Sequence, residues 1–250
     1  MTTNNTRFSE QKMLDFVKYY DSNNPNHRNA FLKIASSLPD DFYNNDADWV
    51  KTYRSSPTRI ITRSSARMSL DVTYFSQHDN YTDADRTCFS SACAMLLDFL
   101  RPGLIKGDDD YVREVFQRGD TTESLVQIET LRHFGVTANF VENANNNTLK
   151  EYLNKGIPVP VGILHHGSAS SPAGDGHWII IIGYEDDKNA PGGGYWLVND
   201  PWGELDHASG TYPSTNGKML KYSYSLINAR WTVDGDSDGW CILAKSWIDN

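Results

Sequence analysis

The sequence predicts an α+β fold: a helical first half followed by an antiparallel sheet. Three observations carry this. Helix-period runs fill residues 88–154, β-rich apolar runs dominate from Ile157 onward, and Gly, Pro, Asn and Asp loops join those runs. At 250 residues and 28.2 kDa the chain can hold one large domain plus a small extension.

In residues 1–70 the pattern reads as small helices. Met13, Phe16, Val17 and Tyr20 repeat at helical spacing behind Ser9, a candidate N-cap, and Phe31, Ile34 and Leu38 repeat ahead of Pro39. Residues 1–70 are therefore expected to form a helical N-terminal extension or small accessory domain, with SSPTRIITRSS as a linker or a strand leading into the main domain, 71–250. Within that domain Phe89–Leu100 reads as a helix ending before Pro102. YVREVFQRG and TTESLVQIETLRHFG read as two more, the second stopped by Gly135, and TLKEYLNKG as a fourth, closed by Gly156. VTANFVE, IPVPVGILHHG, GHWIIIIGYED, GYWLVNDPW and WCILAKSW read as strands.

Composition narrows the function classes. A formal net charge of -9 with no Lys/Arg run disfavours nucleic acid and an anionic membrane surface, which both require a basic face. The longest apolar run is strand-length, too short to span a bilayer. MTTNNTRFSEQKMLDF has neither the basic nor the apolar region of a signal peptide, so synthesis in the cytosol is expected. Three cysteines, an odd number, leave at least one free thiol.

Three polar anchors stand out. Cys88 lies where a polar loop becomes an apolar helix. There, unpaired N–H groups and the positive end of the helix dipole favour an anionic, nucleophilic sulfur. Cys93 lies more than a turn inside the same helix, between alanines, as a small core hydrophobe. His177 opens an apolar strand after a glycine-rich loop, and Asp200 ends the next strand, stopped by Pro201. A hairpin of those two strands would bring His177 and Asp200 together, with PGGG (191–194) at the opposite end. Cysteine, histidine and aspartate so placed form a nucleophile, a base and a carboxylate that fixes the imidazole tautomer.

With these anchors the chain resembles the papain-like cysteine peptidases of the bacteriocin-leader (double-glycine) peptidase type, a group with free-standing members in bacteria and phages. The resemblance rests on Gln77, the run Cys88-Phe-Ser-Ser-Ala-Cys-Ala-Met95, Gly176-His177 and Asn199-Asp200-Pro201, in that order, and covers about residues 70–247. It implies a papain-like fold and a peptidase without metal or organic cofactor. Cys88 would be the nucleophile, His177 the base and acid, Asp200 the orienting carboxylate, and Gln77 with the Cys88 N–H the oxyanion hole. The gap from Gln77 to Cys88, HDNYTDADRT, is longer than the family pattern. Asn80 is thus an alternative donor, and Asp79, Asn80, Asp83 and Asp85 could shape a cleft for a cationic or amino-bearing ligand. Trp178 and Trp202, beside His177 and Asp200, are further candidate cleft residues.

Free-standing members of this type look like cell-wall peptide hydrolases or phage lysins. The implied partner is a peptide, with a peptidoglycan stem or cross-bridge as one candidate, and the implied location is the cell wall or a virion. Acyl transfer on the same fold and a non-catalytic virion or binding protein with a vestigial triad are the alternatives. Two other motifs are weaker. VDGDSDGW matches half a calcium loop at Asp234, Asp236, Asp238 and Gly239, but Lys245 stands where the twelfth-position glutamate belongs, and the segment reads as an acidic turn. His165, His166 and His207 lack zinc-ligand spacing, and GDDD (107–110) reads as a solvated cap to a helix starting near Tyr111.

Overall fold

The computed structural model describes residues 60–64 and 66–245. The helices expected before residue 60 lie outside the described residues. Strands β1 (Ile60–Ser64) and β2 (Arg67–Leu70) come first, so the sheet takes in residues ahead of the expected boundary at 71. Three helices follow, α1 (Cys88–Leu100), α2 (Asp108–Phe116) and α3 (Ser124–His133). Next come β3 (Ala138–Ala144), α4 (Asn146–Asn154), β4 (Val159–Ile163), β5 (His177–Asp186) and β6 (Gly194–Asn199). The chain continues through β7 (Glu204–Asp206), β8 (Thr211–Ser214), β9 (Leu220–Ser223), α5 (Tyr224–Trp231) and β10 (Gly239–Ala244).

The main sheet runs β1-β2-β5-β4-β10-β3, with β6 on β5 and β9 on β6, and every pairing is antiparallel. Its centre is β5. Ile179 to Ile182 are fully buried in succession, which is why their sequence shows no apolar–polar alternation. Pro191–Gly193 forms the turn that returns the chain into β6, so β5 and β6 make the expected hairpin and its open end holds His177 and Asp200. A second, two-stranded sheet of β7 and β8 follows Asp200 directly.

Helix α1 is buried nearly all round: Phe89 to Leu97 are inaccessible or close to it, and the helix packs on β5 and α2. Its own neighbours thus fix the position of its first residue, Cys88. Helix α4 is capped at both ends of its first turn, with the Asn145 side chain accepting from the Asn147 and Thr148 N–H groups. Helix α2 begins at Asp108, not near Tyr111. Asp108 is buried rather than solvated, because the Ser91 hydroxyl donates to its carboxylate at 2.6 Å. Burial pushes the Asp108 carboxyl up to about 6, against the lowering effect of that hydrogen bond. Among the described residues no helix is long and apolar enough to cross a membrane.

Candidate active site

Three elements converge on the site. α1 brings Cys88 at its first turn, β5 brings His177 as its first residue, and β6 ends at Asn199, one residue before Asp200. His177 and Asp200 are almost fully buried, while Cys88 is half-buried. His177 Nε2 lies 2.7 Å from Asp200 Oδ1. The Cys88 thiol is near enough to the same ring to raise it and, with Nε2 engaged by Asp200, Nδ1 is the nitrogen left to meet the sulfur. Burial alone would pull the His177 imidazole down. The Asp200 charge and hydrogen bond, with the Cys88 contact, overcome that and raise it to about 10. The imidazolium therefore persists at neutral pH and Nε2–H donates to Asp200.

Asp200 is itself held. Its Oδ1 also accepts from the Trp202 N–H at 2.9 Å, and its own N–H donates to the Gly217 carbonyl. Asn199 donates to the Val72 carbonyl and accepts from the Met219 N–H, fixing the end of the strand. No side chain caps α1, so Thr87 leaves the first-turn N–H groups beside Cys88 unclaimed by a capping oxygen.

Gln77 is buried in a short 3-10 turn, Gln77–Asp79, whose Gln77 N–H donates to the Pro201 carbonyl at 3.0 Å. The turn is thereby tied to the Asp200 segment. The Gln77 Nε2 donates to the Ala84 carbonyl at 2.7 Å, so the long insertion folds back and fixes the amide. One N–H of that amide is left for another acceptor.

Asn80 departs from the expected role as alternative donor and cleft residue. Its buried amide sits between Thr87, Ser91 and Asp108. With its nitrogen toward Asp108 it donates to both carboxylate oxygens at 3.1 and 3.3 Å, and its oxygen accepts from the Thr87 hydroxyl at 2.8 Å, while the single Ser91 proton goes to Asp108. Asn80 holds the insertion to α1 and α2 instead. Asp79, Asp83 and Asp85 are exposed. Trp202 is half-buried beside the exposed His78, whose Nε2 lies 2.7 Å from the Trp202 carbonyl oxygen. Trp178 has one face covered by Phe89 at 3.6 Å between ring centroids and 2° between planes, which makes it part of the join between α1 and β5.

Sequence reasoning missed Tyr212 and Arg230 and weighed His165 and His207 only as zinc ligands. The Tyr212 ring meets the His177 ring edge-on at 5.9 Å, and His165 lies 5.3 Å from His177. Burial first, then the neighbouring His177, lowers His165 to about 4, so it adds no positive charge at neutral pH. Arg230 is buried and donates to the carbonyls of Leu164, His166, Gly167 and His207, locking the loop before His177 to the β7–β8 hairpin. None of the four lies in a recognisable motif. Asp234 and Asp238 join through the Asp234 N–H and the Asp238 carboxylate, closing the acidic turn on itself. Among the described residues no three His, Cys, Asp or Glu side chains converge as a metal site.

Several solved structures are similar to the chain. A C39-like peptidase from Bacillus anthracis is 13% identical, covering 70% of this chain and 95% of that one, with a TM-score of 0.48. A double-glycine motif protease from an AMS/PCAT transporter, solved with the leader peptide, is 14% identical over 74% and 96%, with a TM-score of 0.41. The ragweed Amb a 11 cysteine protease in its proform is 13% identical over 74% and 66%, with a TM-score of 0.39. Among curated proteins nothing matches the chain. The family model described as "Peptidase_C39 like family" matches residues 69–230, well over half the sequence and spanning Gln77, Cys88, His177 and Asp200. The chain thus belongs to the Peptidase_C39-like family and is a cysteine peptidase of papain-like, α+β fold.

Proposed function

We propose that the enzyme cleaves a peptide bond through Cys88, His177 and Asp200 by way of an acyl-enzyme. The observation that carries this is the His177 imidazole held between the Cys88 thiol and the Asp200 carboxylate, with Nε2 2.7 Å from Oδ1. The Cys88 proton passes to His177 Nδ1, and the thiolate so formed attacks the scissile carbonyl carbon, forming a C–S bond as the carbonyl electron pair moves onto oxygen. The Gln77 Nε2–H and the Cys88 N–H donate to that oxyanion. As it collapses the C–N bond breaks, and the His177 imidazolium gives its Nδ1 proton to the departing nitrogen. Neutral His177 then takes a proton from water, whose oxygen attacks the thioester. The C–S bond breaks, and the acid product leaves with the thiolate and imidazolium restored.

The substrate reading follows from the rim. Asp79, Asp83 and Asp85 are exposed on the loop between Gln77 and Cys88, and they favour a peptide carrying a free amino group near the scissile bond. A stem or cross-bridge peptide of the bacterial cell wall has that chemistry. We place the enzyme there as a hydrolase of the endolysin type, acting at the wall or carried on a virion, with residues 1–59 serving attachment. Incubation with purified peptidoglycan and synthetic stem peptides tests this. New amino termini should form with wild type and not with Cys88→Ala, and added amine should not divert the product. Cleavage of unrelated neutral peptides at equal rates would overturn the substrate class.

A further inference from the structure

The two proposed oxyanion donors come from different segments, the Gln77 side chain and the Cys88 main chain, and their separation has to be fixed before a substrate arrives. The Gln77 amide is held by one bond, from Nε2 to the Ala84 carbonyl at 2.7 Å, while its Oε1 is buried without a partner. The rest of its placement must come from the main chain. The Gln77 N–H donates to the Pro201 carbonyl, which ties the turn to Asp200 but not to Cys88. Asn80 supplies the missing tie. Its own N–H donates to the Gln77 carbonyl at 3.2 Å, and its side-chain oxygen accepts at 2.8 Å from the hydroxyl of Thr87, the residue before Cys88. That hydroxyl takes no part in capping α1.

We propose that Asn80 is a positioning residue for the oxyanion hole, a strut that sets the distance between the Gln77 amide and the Cys88 N–H. The inference rests on the reading of those two groups as the oxyanion donors. The strut has a firm footing. The Asn80 nitrogen donates to both Asp108 oxygens at 3.1 and 3.3 Å, and the Ser91 hydroxyl, one turn into α1, donates to the same carboxylate at 2.6 Å. Asn80, Thr87, Ser91 and Asp108 are each at most 8% exposed, so water does not compete for these bonds. The other side-chain contacts that hold the insertion lie at the surface. The Tyr81 N–H donates to the Asp109 carboxylate, and the Arg86 guanidinium meets both oxygens of Asp120 at 2.8 and 3.0 Å. Exposed pairs of this kind contribute little. The buried Asn80 amide thus decides where the Gln77 turn sits against α1.

Two small reagents applied to the full chain separate this role from a structural one and need no specific substrate. p-Nitrophenyl acetate acylates Cys88 through a tetrahedral oxyanion, whereas iodoacetamide loses iodide to the same sulfur at a saturated carbon and forms none. In Asn80→Ala, p-nitrophenolate release above the level of Cys88→Ala should slow by about tenfold, because the donors no longer meet the oxyanion together. Alkylation should stay within about twofold of wild type, because the thiolate is untouched. Gln77→Ala should also slow acylation, and adding Asn80→Ala to it should lower the rate little further, since the strut acts through that amide. Thr87→Val removes the hydroxyl and keeps the bulk. It should reproduce the pattern, and it decides the question if Asn80→Ala does not fold. Unchanged acylation overturns the proposal, as do losses that multiply in the double variant. A parallel fall in acylation and alkylation also overturns it, assigning Asn80 to the fold. If Gln77→Ala alone acylates at the wild-type rate, the oxyanion reading of Gln77 fails and the strut with it.

Discussion

Phe89 and Trp178 stack face to face, with centroids 3.6 Å apart and planes 2° from parallel, and each directly follows a proposed catalytic residue, Cys88 and His177. The stack joins α1 to β5 one residue beyond the chemistry, so it sets how far the sulfur lies from the imidazole. Gly162 on the neighbouring strand makes room for it, because a Cβ there would stand 3.2 Å from the Trp178 ring. Trp178→Ala should cost about 3 kcal/mol of stability, read by urea denaturation, and slow Cys88 alkylation further than the lost stability explains. Trp178→Phe should restore most of both, since an aromatic face remains.

The His177–Asp200 bond predicts a pH dependence. The folded-state midpoint of His177 is raised from 6.5 to about 10, so its stabilising contribution is complete below pH 6.5 and is lost as pH rises through about 10. Peptidase activity should fall over the same alkaline range, because the leaving nitrogen then finds no proton on Nδ1. Asp200→Asn removes the charge that raises the imidazole. The alkaline limb should move to lower pH, as read from activity and denaturation profiles taken side by side.

Asp108 predicts a second loss of stability with rising pH, at lower pH than that of His177. Its carboxyl is raised from 3.8 to about 6 by burial, so the folded state holds its proton more tightly than the unfolded chain. The contribution is full below pH 3.8 and declines as pH rises through about 6. Asp108→Asn should flatten melting temperature between those pH values while leaving Ser91 an oxygen to donate to.

Arg230 predicts a coupled failure of two loops. It is a buried cation satisfied by four main-chain carbonyls rather than by a carboxylate. Arg230→Met leaves those carbonyls bare and should cost about 3 kcal/mol or more. Limited proteolysis should then cut within 165–176 and near 207 first. Lysine cannot span the same acceptors, so Arg230→Lys should rescue little.

The sequence made the hairpin of β5 and β6 legible, because a continuous isoleucine run and an Asn-Asp-Pro stop are local signals that tertiary packing did not override. Cys88 and Cys93 could be separated for the same reason: one begins a helix and the other is inside it. The hairpin of β7 and β8 was not legible, since its strands are three and four residues long with no sustained alternation. Tyr212 and Arg230 therefore carried no signal, being brought to the site by pairing across distant segments. Asp108 was misread as solvated because its partners, Ser91 and Asn80, come from other elements. Residues 1–59 lie outside the described residues, and the extension expected there stays a reading of its helical pattern.

The identity of the nucleophile is the central claim, and thiol alkylation tests it most directly. Cys93 and Cys241 are fully buried, and burial pushes both thiols up, Cys241 to about 12. Native protein treated with iodoacetamide at pH 7 and mapped by mass spectrometry should carry one modified cysteine, Cys88, with peptidase activity lost in proportion. In His177→Ala that modification should slow by about tenfold or more. Equal labelling of Cys93 in the folded protein, or full activity after complete modification of Cys88, would contradict the account.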